Sequence, residues 1–452
     1  MNILVLNGSP KGSYSITLQT IHYLEKLHPE HTFTILHVGQ RIKAFEKDFS
    51  SAKEALEKAE LILFAYPVYT FIAPSQLHRF IELMKEHGVN VADKYATQIT
   101  TSKHFYDVTA HRYIQDNCQD MGMRFVRGLS ADMEDLLTEK GQKEAESFWQ
   151  HLCWSMEKGY AEPCYHINSD MSAPDVPVII PEDTISNKTG NIVIVTDCTP
   201  ENTKLSAMIS RFEAVFPLKT SIVNLREYPF AGGCLGCFKC AVDGKCVYKD
   251  GFDTYLREEI QTAQAIVYAF TIRDHSMGSL FKMFDDRHFC NGHRTVTEGM
   301  PIGYLINGCF HTETNLQMII EGRAQVNGNI LAGIATDEVN PNQEIDKLAA
   351  SLLYALENHN TQPQNFYGVG GMKIFRDLIY QMRGMMKADH RYYKTHGHYD
   401  FPQKKKGSIL MMYLVGAMIS SPKIKDKLGN KMNEGMLMPY KKLFEKMGKE
   451  IN

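Results

Sequence analysis

Short apolar runs, separated by longer amphipathic stretches, occur in two successive series along this chain. In the first series, strand-like runs at 3–6, 32–37, 61–65 and 96–101 alternate with helical patterns near 15–27, 50–58, 76–87, 110–121 and 140–156. Runs this short and continuously apolar suit strands buried on both faces, as in a parallel sheet with helices on either side. Residues 161–190 are rich in Pro, Ser, Asn and Asp and read as a linker. At Asn191 the plan restarts, with strand-like runs at 192–196, 221–225, 266–271, 301–307 and 330–335 and helices near 205–215 and 344–357. The expected fold class is α/β: two tandem doubly wound parallel-sheet domains, 1–160 and 191–360, followed by a basic helical segment, 361–452. A chain of 452 residues is too long for one ordinary core, which agrees.

A hydrophobic content of 44% and a charged content of 22% suit a globular protein. The net charge of −3 argues neither for nor against a partner, and no nucleic-acid partner is expected. The start, MNILVLNGSP, lacks the basic region and cleavage site of a signal peptide. The longest apolar run, Ile409 to Ile419, is too short to span a bilayer. The expectation is a cytoplasmic protein without an integral membrane span, whose thiols stay reduced.

Ligands of an open α/β sheet sit beyond the carboxyl ends of its strands. After the first strand comes Gly8-Ser9-Pro10-Lys11-Gly12-Ser13, opening a helix. Backbone N–H groups and hydroxyls converging at a helix N-terminus suit a phosphate. Neither GxxxxGK[ST] nor GxGxxG is present. After the third strand comes Pro67-Val68-Tyr69-Thr70-Phe71, whose aromatics can stack on a flat ring. After the fourth comes Thr101-Ser102-Lys103-His104. His104, Asp107 and His111 have spacings that could share one helix face. His104 is the candidate catalytic group, against a reading of these residues as helix-capping surface.

The segments NGSPKGSYSIT and YPVYTFIAPSQLHRFIE resemble the two flavin-contacting loops of the flavodoxin-like NAD(P)H-dependent FMN reductases, and the order of elements over the first domain is similar too. The resemblance implies that Ser9, Lys11, Ser15, Ile16 (through its backbone) and Thr17 hold the FMN phosphate. It also implies that Pro67, Val68, Tyr69, Thr70 and Phe71 line the isoalloxazine, with Thr101, Ser102 and His104 near its pyrimidine edge. The corresponding loops of the second series carry Asp197 in place of the Gly-Ser-Pro turn and lack the Pro-Val-Tyr shelf. One FMN per chain is therefore expected.

Four of ten cysteines fall in GGCLGCFKCAVDGKC, as Cys234, Cys237, Cys240 and Cys246. A compact C-x2-C-x2-C-x5-C run suits an iron–sulfur cluster, since thiolates are soft ligands. Zinc motifs more often split into two separated knuckles. Zinc, a disulfide pair or bare thiols stay open. In a flavodoxin-like chain the motif resembles that of the iron–sulfur flavoproteins, which implies a [4Fe–4S] cluster near FMN. Both centres could then pair within one tandem chain. Cys118, Cys153, Cys164, Cys198, Cys290 and Cys309 read as small buried apolar residues, and His288-x-Cys290-x2-His293 as a loop.

From Phe366 onward, 17 Lys and Arg face 7 Asp and Glu, with 11 of the 23 methionines. Three readings stand, in this order: helices packed on the domains, a lid over the flavin, and a membrane-surface helix. Asp389, His390, Tyr393 and His396 are candidate substrate contacts.

The expected function is an FMN-dependent NAD(P)H oxidoreductase acting on a small-molecule electron acceptor. A ferredoxin partner and a homodimer stay open. A non-enzymatic electron carrier or redox sensor and a cluster-free quinone, azo or nitro reductase are the alternatives.

Overall fold

The computed structural model describes residues 1–164, 176–182, 189–420, 437–438 and 440–447. The expected linker and the stretch 407–447 lie partly outside the described residues. The chain forms two compact units, Met1–Tyr392 and a second beginning at Tyr393.

Within the first unit, strand β1 (Asn2–Asn7) shows how the sequence builds the sheet. Leu4 and Leu6 enter one buried cluster, while Ile3 and Val5 enter another on the opposite face. Side chains alternate across a strand, so an all-apolar run feeds two cores. The first sheet adds β2 (Thr32–Leu36), β3 (Leu61–Pro67), β4 (Tyr95–Ser102), β5 (Arg124–Phe125) and β6 (Leu129–Asp132). Its order is β2-β1-β3-β4-β5, with β6 also on β4, and every pairing is parallel. The second sheet contains β7 (Ile192–Thr196), β8 (Thr220–Asn224), β9 (Ala265–Thr271), β10 (Pro301–Asn307) and β11 (Ile330–Thr336), in the order β8-β7-β9-β10-β11. Both follow the flavodoxin-like 2-1-3-4-5 order.

Each sheet has a private core on its outer face, around Trp149 in the first half and Phe212 in the second. The inner faces share one cluster. It runs from Tyr66, Leu77, Phe80 and Tyr113 to Phe270, Phe281, Phe284 and Ile319. The helices Ser75–Glu86 and Gly278–Arg287 pack against each other at its centre.

That helix pair has an approximate two-fold character. The amide of Ser75 donates to the Asp286 carboxylate at 2.8 Å, and the amide of Ser279 donates to Glu82 at 2.7 Å. Ser75 and Ser279 stand 204 residues apart, as do Glu82 and Asp286. The turns before both helices carry paired left-handed residues at the same offset: Thr70 and Phe71 (φ 37° and 76°), Asp274 and His275 (φ 51° and 62°). Such angles cost energy in non-glycine residues, and here each turn is held by the opposite half. Lys282 and Asp286, both fully buried, hold the first. Lys282 Nζ donates to the Tyr69 carbonyl at 2.9 Å, to Thr70 Oγ1 at 2.6 Å and to Asp286; Thr70 Oγ1 donates to Asp286 at 2.6 Å. Lys85 Nζ reaches Asp274 at 2.7 Å, and His275 sits between Asp120 and Glu313 at 2.9 and 3.0 Å.

The helix Phe366–Gln381 packs on Thr314–Asn327, and the Phe375 and Phe105 rings meet at 4.5 Å. Three features differ from expectation, the first being that β5 and β6, too short and polar to read as apolar runs, extend the first sheet beyond the four strands anticipated. The helix Val38–Phe45 was not anticipated: it is short and interrupted by non-helical angles at Arg41. Of the scattered cysteines, only Cys118 and Cys290 are buried; Cys164 is exposed and Cys153, Cys198 and Cys309 are partly so, Cys153 lying inside the helix Glu139–Lys158 and the other two in loops after strands.

Removing Asp286 takes the nearest carboxylate from the buried Lys282 ammonium and leaves only Asp285, at 3.9 Å, so Asp286→Ala should destabilise the protein by about 3–5 kcal/mol. Urea unfolding checks this, and the joint change Lys282→Met with Asp286→Leu should recover much of the loss. Burial opposes protonation of His275, but Asp120 and Glu313 outweigh it and raise its pKa to about 10. Its stabilising contribution is full below the ordinary histidine range and is lost as pH rises toward about 10. Unfolding free energy should therefore fall over that interval, and His275→Gln should flatten the slope.

Candidate functional site

The carboxyl ends of β1, β3 and β4 open on a cavity of about 310 Å³. Ser9, Lys11, Ser15, Ile16 and Thr17 line it, as do Pro67, Val68, Tyr69, Thr70 and Phe71, and Thr101 and Ser102. The second half supplies Cys234, Cys237, Cys240 and Cys246 to the same space. Phe375, Leu378, Met382, Met386 and Asp389 close a further side.

The first loop is built from within. Asn7 Nδ2 donates to the Gly12 carbonyl at 2.8 Å, and Asn7 Oδ1 accepts from the Ser9 amide at 3.1 Å. Gly12 needs its left-handed φ of 57° to turn the chain. Ser15 then precedes the helix Ile16–Leu27 without capping it through its side chain. Its hydroxyl is buried and has no hydrogen-bond partner among the described residues. An orphaned buried hydroxyl beside an uncapped helix N-terminus fits a phosphate oxygen. Ile16 is half-exposed, so its backbone is what it offers. Thr17 and Thr101 join their hydroxyls at 2.6 Å, tying the first loop to the third. Gly39, unread from sequence, lies so close to the Gly8 carbonyl that any Cβ there would overlap it.

The Tyr69 turn is closed by reciprocal bonds with Ile72, at 2.8 and 3.1 Å. Burial, then the neighbouring Cys234, raises the Tyr69 pKa well above its ordinary value, so the phenol stays neutral. The cysteine loop rests directly on this turn. Gly236, with φ 59°, sits against the Tyr69 hydroxyl so tightly that a Cβ would overlap it. Gln76 Nε2 donates to the Cys234 carbonyl at 3.2 Å. Behind the loop, Arg287 donates to the Gly232 carbonyl at 2.9 Å and to both Asp250 oxygens at 2.8 Å.

The Gly236 amide points at Cys234 Sγ at 3.4 Å, and Cys240 Sγ donates to the Phe289 carbonyl at 3.1 Å. Burial pushes the Cys240 thiol up to about 11 and Cys234 further. Without a cationic centre these groups are therefore thiols at neutral pH. Among the described residues, no three His, Cys, Asp or Glu side chains close around a single ion.

His104 does not reach the cavity lining, although its neighbours Lys103 and Phe105 do. His104 and Tyr106 are both left-handed and precede the helix Asp107–Asp120, so His104 lies outside it, and His104 Nδ1 meets Asp107 at 3.0 Å. The three residues do not share a helix face: His111 lies within the helix, bonded to Thr100 at 2.8 Å, and burial lowers its pKa to about 4.

His288, Cys290 and His293, read from sequence as a plain loop, all line the cavity. Burial lowers both histidines to about 4, so they are neutral, and raises Cys290 to about 12. Of the four substrate-contact candidates in the basic segment, Asp389 lines the cavity and His390 does not; Tyr393 and His396 belong to the second unit. Asp389 is fully buried, accepts from the His293 amide at 3.0 Å through Oδ1, and has no partner at Oδ2 among the described residues. Burial raises its pKa.

The corresponding place in the second half is filled by its own side chains. Asn202 Nδ2 donates to Thr271, Thr271 to Asn307, and Asn307 to Asp337, which Lys204 also meets at 2.9 Å.

Gly236→Ala should lift the cysteine loop from Tyr69, since Ala at this φ costs more than about 1 kcal/mol before the overlap is counted. Faster labelling of the Cys234 thiol by a maleimide, relative to the parent protein, checks this.

Residues 1–152 match the family model described as "Flavodoxin-like fold". No curated protein matches the chain. Among solved structures, the chain is similar to the flavoenzyme NAD(P)H:(acceptor) oxidoreductase FerB from Paracoccus denitrificans (17% identity, 36% of this chain, 99% of that one, TM-score 0.29). It is also similar to the general stress protein 14 from Treponema denticola, in complex with FMN (11% identity, 34% and 98%, TM-score 0.27). A third is the apo form of the NADH:FMN oxidoreductase EMOB (17% identity, 34% and 89%, TM-score 0.30). The family match covers the first sheet and its helices, and what it establishes for residues 1–152 is a flavodoxin-like fold.

Proposed function

We propose that this chain is an FMN-dependent NAD(P)H oxidoreductase whose four-thiol loop holds a [4Fe–4S] cluster beside the flavin. One observation carries the reading: twelve of the thirteen residues expected around FMN, all but His104, and all four thiols wall a single cavity. FMN accepts hydride from a reduced nicotinamide and releases electrons singly, which is the traffic an iron–sulfur cluster carries.

The chain's own residues divide the work. Ser15 Oγ and the open helix N-terminus beside it bind the phosphate dianion. Thr17 and Thr101 hold the first and third loops together. Pro67 to Phe71 present a shelf whose shape is set by Lys282 and Asp286. Cys234, Cys237, Cys240 and Cys246 supply the sulfur ligands, and the Gly236 amide stabilises charge on Cys234. Phe375, Leu378, Met382 and Met386 exclude water from the acceptor side. Asp389 Oδ2, unpaired at that wall, holds the proton that a quinone-like, azo or nitro acceptor takes up with its electrons. Without a GxGxxG segment, the nicotinamide docks in this cavity rather than on a domain of its own.

Adding NADPH or NADH to the flavin-loaded protein under argon should bleach the flavin absorbance without another protein, and a quinone should restore it. Slow bleaching by both nucleotides, with fast bleaching by reduced ferredoxin, would overturn the nicotinamide assignment. Ser15→Ala removes a hydrogen bond to a charged group, worth about 1.5–3 kcal/mol. It should weaken FMN retention about tenfold or more in equilibrium dialysis, with little change in unfolding.

A further inference from the structure

The helix Lys406–Ile419 of the second unit reads KGSILMMYLVGAMI. Every described residue from Lys406 to Met418 is exposed except Val415, which is partly so. Six consecutive large apolar side chains, Ile409 to Leu414, therefore surround the helix axis with 41–74% of their surface in solvent. A helix apolar on all sides is unstable in water and is ordinarily covered. No helix of the described chain is long and apolar enough to cross a membrane.

Charge selects what covers it. Lys404, Lys405 and Lys406 stand at the start of the helix, behind the Tyr399 and Phe401 rings, which stack at 5.8 Å. Residues 393–452 contain 12 Lys against 5 Asp and Glu. A second stretch repeats the pattern. In the helical residues 440–447, Tyr440, Leu443, Phe444 and Met447 are exposed on one stripe, and Lys441, Lys442 and Lys446 occupy other positions. Apolar surface flanked by lysines and aromatics is the chemistry of an element lying in the plane of an anionic lipid surface.

We propose that the second unit docks the protein on anionic membranes, with Lys406–Ile419 in the interfacial layer and Lys404 to Lys406 on the headgroups. This goes beyond the proposed redox function and does not depend on it.

The full chain should pellet with phosphatidylcholine vesicles that contain phosphatidylglycerol, but not with phosphatidylcholine alone, and added salt should release it. Each lysine near the surface changes affinity about fivefold, so Lys404→Gln, Lys405→Gln and Lys406→Gln together should weaken binding about a hundredfold. Leu410→Glu with Leu414→Glu should abolish it. Both positions are exposed, so an unchanged melting profile shows that neither variant has merely unfolded. Failure to pellet, or equal pelleting with both vesicle types, overturns the proposal. So does a lipid-free dimer that the two glutamates dissociate, because a second copy would then cover the helix.

Discussion

A buried Lys282–Asp286 pair from the second half holds a turn of the first in a conformation it would not adopt alone. Thr70 is β-branched and left-handed, an unfavourable combination. It persists because its hydroxyl, the Tyr69 carbonyl and the Ser75 amide all find partners on one facing helix. That turn forms one wall of the cavity, and the cysteine loop leans on Tyr69 from the other side. Much of the site therefore depends on two side chains that do not line it.

The same arrangement explains why a chain of two similar halves has one described site of this kind. Each half clamps the turn of the other through carboxylates at equivalent places, Asp286 and Glu82. Only the first half leaves its strand ends open. In the second, Asn202, Asn307, Asp337 and Lys204 fill the corresponding space with their own hydrogen bonds. What the second half contributes is the four-thiol loop, delivered across the shared core.

Much of this was legible in the sequence. Short continuous apolar runs gave the second sheet and four strands of the first, and the Gly-Ser-Pro and Pro-Val-Tyr turns marked which strand ends were open. What escaped had physical reasons. His104 was expected beside the flavin from the loop resemblance, and no local pattern reveals the left-handed residues at His104 and Tyr106. Asp285, Asp286 and Arg287 look like a solvated helix end, yet all three are buried: Asp286 meets the turn and helix start at Thr70 and Ser75, while Asp285 meets Arg323 and Arg287 meets Asp250 within the second half. Asp389 sits in a basic, Met-rich segment whose packing no local pattern discloses. The His288, Cys290 and His293 cluster was visible as a spacing, but only the fold shows that it faces the thiols.

The most direct test of the shared cavity is the composition of anaerobically purified protein: flavin, iron and acid-labile sulfide per chain, with the visible spectrum. The account predicts one FMN with about four irons and four sulfides, and a broad shoulder beside the flavin bands. A clean flavin spectrum without iron would contradict it, leaving an FMN site facing a loop of bare thiols.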